Sequence, residues 1–151
     1  MRALFLLGRA IFGGFFLWNG LHHFLDEESM SHYAASKGVA APDAAVPASG
    51  ALILAGGASV IAGVQPRLGL AAIVAFLIPV SLQMHRFWEI DEPAQRMAEM
   101  THFMKNMALA GAALALMQVD EPWPLSVDEA RRDGEEMYVR LGGRDLRALP
   151  A

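Results

Sequence analysis

Long apolar stretches alternate with short polar segments along this chain. Four stretches contain no Asp, Glu, Lys or Arg: residues 10–25, 44–66, 68–85 and 106–119. A helix rises about 1.5 Å per residue, so about 20 apolar residues cross the roughly 30 Å hydrocarbon core of a bilayer. The pattern predicts an all-α integral membrane four-helix bundle, with spans at about residues 3–24, 44–64, 68–84 and 103–119.

The first span has a competing interpretation as a cleaved signal peptide. Arg9 interrupts its apolar run, and the bulky residues 21–25 stand where a cleavage site of small residues is needed. An uncleaved span is therefore favoured. A soluble four-helix bundle would need polar faces on the second and third helices, and the sequence has none there.

The second and third spans are predicted to form an antiparallel hairpin, because only a short turn at Pro66 separates them. The second span is rich in glycine, alanine and serine, which let helices approach closely in lipid. It is therefore expected at the centre of the bundle.

The C-terminal part of the chain has a different composition from the spans. We divide the chain into a transmembrane domain at residues 1–119 and a charged tail at 120–151. Ser126 and Glu129 match a capping box, in which a serine and a glutamate three residues later satisfy the first helical N–H groups. A short surface helix is predicted at about 127–141, with Gly142 and Gly143 closing it.

Composition excludes several classes of function. Charged residues make up 19% of the chain and the formal net charge is −4, whereas a nucleic-acid-binding domain is typically basic. The sequence has no cysteine, so disulfides, thiol relays and cysteine-ligated metals cannot form within it. A redox role would need a bound cofactor.

Orientation is predicted from the basic residues that flank the spans, which favour the cytoplasmic side. The side that carries both termini has Arg2, Arg9, Arg67, Arg131 and Arg132; the opposite side has Lys37, Arg86, Arg96 and Lys105. This small excess predicts cytoplasmic termini.

The predicted topology brings most polar residues of the spans to one side of the membrane. Helix 1 ends there, helix 3 ends there and helix 4 begins there. The candidate site residues in this layer are Asn19, His22, His23, His85, Arg86, Trp88, Glu99, His102, Lys105 and Asn106. Polar groups at this depth are costly unless they pair or line a cavity.

The same segments carry a resemblance to the DoxX family of small bacterial membrane proteins. The similar pieces are GRAIFGGFFLWNGLHHF, SGALILAGGASVIAGVQPRLG, the IPV and HRFWEID pieces around His85, and HFMKNMALAGAAL, over about residues 8–117. The family commonly has a lysine at the end of helix 1, where this chain has His22 and His23. The resemblance implies four membrane helices, the bacterial cytoplasmic membrane and an association with redox or quinone-linked systems.

Three functional hypotheses follow for the polar layer. It is a quinone or quinol site, with Phe15, Phe16, Trp18 and Phe87 as walls, or only a hydrogen-bond network that joins helices 1, 3 and 4. Alternatively, the chain is a non-redox assembly subunit that contacts other subunits or a second copy. The third hypothesis is a haem or metal site using His22 and His102, but Glu99-x-x-His102 lacks the second such motif of di-iron bundles, so no metal is expected. In all three the chain is not a self-sufficient enzyme.

Overall fold

The computed structural model describes residues 2–145, with side chains up to residue 140. The described residues are 83% helix and contain no strand, which confirms the all-α class. The helices are α1 (Arg2–Leu25), α2 (Glu27–Ser36), α3 (Pro42–Ala62), α4 (Pro66–Met84), α5 (Pro93–Leu116) and α6 (Val127–Asp145). A single turn of 3-10 helix, Phe87–Glu89, lies between α4 and α5.

Three of these helices are long and apolar enough to cross a membrane: α1, α3 and the α4 segment extended to Glu89. They correspond to the first three predicted spans, and they support a lipid bilayer as the environment of the chain. The predicted fourth span, 103–119, lies in α5 except for its last three residues, and α5 is not among the three candidates that length and hydropathy select in residues 2–145.

Helix α3 lies at the centre of the molecule, as its small residues predict. It packs against α1, α2 and α4, and α5 packs against α4. Close approach requires glycine on α3: a Cβ on Gly57 would lie 2.7 Å from the carbonyl oxygen of Gly13, and one on Gly56 would lie 2.9 Å from that of Gly69. Backbone-to-backbone contact of this kind is the usual means of helix association in lipid.

One hydrophobic cluster joins helices α1, α3, α4 and α5. Its fully buried members include Phe16, Ile53, Leu77 and Ala113. Each of these residues lies on a different helix. The four segments that the sequence predicts as spans therefore share one core.

One helix is not predicted by the sequence analysis, and two helices extend beyond the predicted bounds. The loop after the first span contains α2, because Glu27 and Glu28 favour a helix start and Ser31 and Ala34 are buried. Helix α5 begins at Pro93 rather than near 103, because Glu92 caps it by accepting hydrogen bonds from the N–H groups of residues 94 and 95. Helix α6 continues through the glycine pair to Asp145.

The segment that follows α5 folds back over the end of the bundle where α1 begins. Trp123 is fully buried there and meets Phe5 edge to face, with 5.3 Å between ring centroids. Arg9, also buried, donates to the carbonyl oxygens of Pro124 at 3.2 Å and Leu125 at 3.0 Å. The capping serine is confirmed, since the N–H of Glu129 donates to Ser126 Oγ at 2.9 Å.

Candidate functional site

Glu99 is the centre of a polar cluster at the opposite end, where α4 ends and α5 begins. Its side chain is 11% exposed. Oε1 accepts hydrogen bonds from Lys37 Nζ at 2.9 Å and from the Tyr33 hydroxyl at 3.4 Å. Oε2 lies 2.7 Å from His85 Nδ1. One carboxylate therefore ties α5 to the end of α4 and to the end of α2.

These contacts set the protonation states of Glu99 and Lys37. Both residues precede the predicted fourth span at 103–119. Burial by itself raises the pKa of Glu99, but the hydrogen bonds from His85 and Lys37 outweigh burial and hold that pKa below its ordinary value. The hydrogen bond to Glu99 raises the pKa of Lys37. An ionised carboxylate and a protonated lysine are thus the stable forms of this pair.

A small polar cavity of about 140 Å³ lies beside this cluster. Five of its lining residues were predicted as site residues: Asn19, His23, His85, Lys105 and Asn106. The remaining walls are apolar: Phe15, Phe16, Phe76, Leu77 and Val80. The cavity thus combines hydrogen-bonding groups from α1 and α5 and from the residue after α4 with aromatic walls.

A second cavity of about 570 Å³ lies between α2, α3 and α4 and is mostly apolar. It shares four lining residues with the small cavity: His23, Phe76, Val80 and His85. Met30, Tyr33 and Ala34 of α2 cover part of it. Its size falls within the range of about 300–1,000 Å³ that is usual for small-molecule sites.

His102 and Lys105 lie at the exposed edge of the cluster. The ring of His102 stacks on that of His85 at 5.2 Å between centroids, and Lys105 Nζ lies 3.4 Å from His102 Nδ1. Both side chains are exposed on the surface of α5. His102 therefore contacts the site through His85.

Five predicted site residues line neither cavity, and three of these lie outside the Glu99 cluster as well. His22 is half-exposed, with Trp18 packed against its ring and Asp26 at 3.9 Å from its Nε2. Arg86 pairs with Glu89 at 3.5 Å. Trp88 is 49% exposed and packs on Phe87 and Phe103.

Sequence reasoning missed Tyr33, Lys37 and Gln83. Lys37 and Tyr33 bind Glu99, and Gln83 Nε2 donates to the carbonyl oxygen of Lys37 at 2.8 Å. The acidic pair Glu27 and Glu28 signals that a helix begins in this loop, but nothing in the sequence signals which end of the bundle that helix covers.

Metal ligands do not converge in the described part of the chain. No group of three or more His, Cys, Asp or Glu side chains in residues 2–140 is arranged to hold a metal ion. In the cluster around Glu99, the nitrogen atoms of Lys37 and His85 both donate hydrogen bonds to one carboxylate. This is the arrangement of a charged hydrogen-bond network.

Comparison with protein families gives one match. The sequence model of the DoxX family matches residues 4–86, which is more than half of the chain and contains α1 to α4. The match ends before the segment HFMKNMALAGAAL, so that part of the resemblance is outside it. Comparisons with curated proteins and with solved structures found no match.

Proposed function

This chain belongs to the DoxX family, and we propose that it is a membrane-embedded accessory component of a redox complex that binds a quinone-type lipid. The observation that carries the proposal is the convergence of five polar side chains on one cavity with aromatic walls. Quinone oxygens need hydrogen-bonding partners, and the ring needs an apolar slot. A site near the membrane surface admits such a lipid from the bilayer.

The two adjoining cavities fit the two parts of such a ligand. The polar cavity offers Asn19, Lys105 and Asn106 to the oxygens of a ring. The larger cavity offers apolar walls to the rest of the ring and to a hydrocarbon chain. Ligand sites are typically apolar with a few well-placed polar groups, and the pair of cavities has that composition.

The proposal includes α5 as a fourth span at 103–119 and a multi-pass location in the bacterial cytoplasmic membrane with cytoplasmic termini. Lys105 then lies near the interface, where a lysine extends its ammonium group toward the headgroups. The role in a redox complex follows the association with redox or quinone-linked systems that the family resemblance implies.

Binding of a short-chain benzoquinone to the purified protein tests the proposal, with quenching of tryptophan fluorescence as the readout. Lys105→Ala is expected to weaken binding about tenfold, because a hydrogen bond from a charged donor contributes about 1.5–3 kcal/mol. Arg86→Ala is the matched control, since it removes a cation on the same side that lines neither cavity. Equal binding by wild type and Lys105→Ala would exclude this site.

The assembly hypothesis makes a different prediction for the same protein. A purely structural subunit would bind no quinone, and its Lys105→Ala variant would instead lose partners from gently solubilised membranes. Quinone binding by the isolated wild-type chain decides for the ligand site.

A further inference from the structure

His23 and His85 line both cavities, and the contacts of each ring determine which of its two nitrogens carries a hydrogen. His23 Nδ1 lies 2.8 Å from the carbonyl oxygen of Asn19, and His85 Nδ1 lies 2.7 Å from Glu99 Oε2. A carbonyl and an ionised carboxylate only accept hydrogen bonds, so each Nδ1 must carry a hydrogen. In a neutral imidazole of this tautomer, Nε2 is an acceptor.

Each Nε2 is free to meet a ligand. Neither Nε2 has a hydrogen-bond partner within residues 2–140. Neither is enclosed by protein, because the only fully buried side-chain nitrogen or oxygen without a partner in those residues is Trp123 Nε1. The Nε2 atoms are therefore exposed to the cavities or to solvent. His85 is the more strongly fixed, because Lys37 also binds Glu99 and keeps it ionised.

We infer that the site selects the reduced, hydroquinone form of its ligand, whose hydroxyl donates a hydrogen bond to Nε2 of His85. The inference rests on the proposed function and specifies which redox form binds. A quinone carbonyl only accepts hydrogen bonds, so its lone pairs would face the lone pair of Nε2. A hydroxyl both donates and accepts, so it pairs with His85 and also with the donors Lys105 and Asn106 in the same cavity.

Glu99 acts as a positioning residue in this arrangement. It touches His85 rather than the cavity space, and it selects the tautomer, as a carboxylate does for the histidine of a catalytic triad. In Glu99→Gln the amide oxygen faces the donors Lys37 and Tyr33, so the amide NH2 faces His85 and donates to its Nδ1. The hydrogen of the neutral ring then moves to Nε2, which becomes a donor suited to a carbonyl.

Binding of the two redox forms to the full-length protein tests the inference. The probes are a decyl-substituted benzoquinone and its hydroquinone, titrated anaerobically into protein in detergent. Wild type is expected to bind the hydroquinone about tenfold more tightly than the quinone, because only the hydroquinone forms the hydrogen bond to Nε2 of His85. Glu99→Gln is expected to abolish or reverse that ratio, and Glu89→Gln, a surface carboxylate on the same side, to preserve it.

Each other outcome overturns a definite statement. Failure of both forms to bind wild type removes the proposed function and this inference together. Equal binding of both forms, or tighter binding of the quinone, removes the inference alone. A Glu99→Gln protein that binds both forms more weakly by the same factor would show that Glu99 is structural.

A second measurement uses wild-type protein alone, so it does not require that a Glu99 variant folds. Nitrogen-15 spectra of histidine-labelled wild type, taken at about pH 8, above the ordinary histidine pKa of about 6.5, report the tautomer of each ring. His85 and His23 are expected to show protonated Nδ1 and unprotonated Nε2. A protonated Nε2 on His85 would overturn the inference.

Discussion

At the scale of residues, the site depends on one carboxylate that serves three donors. Glu99 joins Tyr33 and Lys37, at the end of α2, to His85, which directly follows α4. Removing one donor leaves the carboxylate buried with less compensation, and loss of a partner for a buried charge costs more than the pair contributes. The cluster therefore holds α2 in place as well as orienting His85.

Acid is expected to weaken this cluster, and Lys37→Met to shift the effect to higher pH. The folded protein lowers the pKa of Glu99, so its stabilisation is present above the unfolded value of about 4.3 and is lost as pH falls through the folded pKa. Without Lys37 the folded pKa rises, and the loss begins at a higher pH. Thermal unfolding in detergent between about pH 3 and 7 measures the shift.

Arg86→Met serves as the control for this pH series, because Arg86 pairs with the exposed Glu89 instead of Glu99. Its unfolding profile is expected to follow that of wild type. Identical profiles for Lys37→Met and wild type would contradict the assigned role of Lys37.

The sequence predicts some of these residues and not others. His85, Glu99 and Lys105 lie close to span ends, so hydropathy alone brings them to one side. Tyr33 lies in α2, and Lys37 directly follows it; α2 is a short helix with little net hydrophobicity and no span pattern. Its position comes from burial of Ser31 and Ala34 against the bundle, a tertiary contact that no local pattern encodes.

At the scale of elements, the predicted helix bounds fail where hydropathy and helix formation differ. Hydropathy marks only the part of α5 suited to lipid, whereas a proline in the first turn and the Glu92 cap start the helix earlier. A glycine costs about 1 kcal/mol inside a helix, which weakens α6 without stopping it at Gly142 and Gly143. Spans are therefore easier to predict than helix ends.

The segment after α5 is held to α1 by Arg9, and Arg9→Leu is expected to release it. The change removes hydrogen bonds to the carbonyl oxygens of Pro124 and Leu125, each from a charged donor and worth about 1.5–3 kcal/mol. Trypsin cleavage after Arg131 and Arg132 should become at least about tenfold faster. Mass spectrometry of the released tail measures the rate.

Arg2→Leu is the matched control for cleavage of the tail, since Arg2 is an exposed arginine on the same helix. Cleavage in this variant should keep the wild-type rate. If Arg9→Leu also keeps that rate, the burial of Trp123 rather than Arg9 fixes the segment.

At the scale of the whole molecule, the question is whether α5 crosses the membrane with α4. His85, just after α4, contacts Glu99 near the start of α5. Arg67, near the start of α4, donates to the carbonyl oxygen of Met117 at 3.1 Å, just after α5 ends. The two helices therefore run antiparallel over residues 67–85 and 99–117, which is the arrangement expected if α5 crosses the membrane beside α4.

The low hydropathy of α5 has a local cause that is compatible with a span. Glu99 and Asn106 are buried within the protein, and Lys105 and His102 lie toward the end that holds the polar cluster. Beyond residue 106 the helix is apolar to its end at Leu116. Buried polar groups lower a hydropathy average without facing lipid.

Single cysteines distinguish four spans from three, because the natural chain contains none. With four spans, a cysteine at Asp91, between α4 and α5, and one at Glu135, in α6, lie on opposite sides of the membrane. A membrane-impermeant maleimide should label Asp91→Cys in intact spheroplasts and Glu135→Cys only in inverted vesicles. Labelling of both variants in the same preparation would show that α5 does not cross the membrane and that the chain has three spans. Ile11→Cys, on the exposed apolar face of α1, is the control that neither preparation should label.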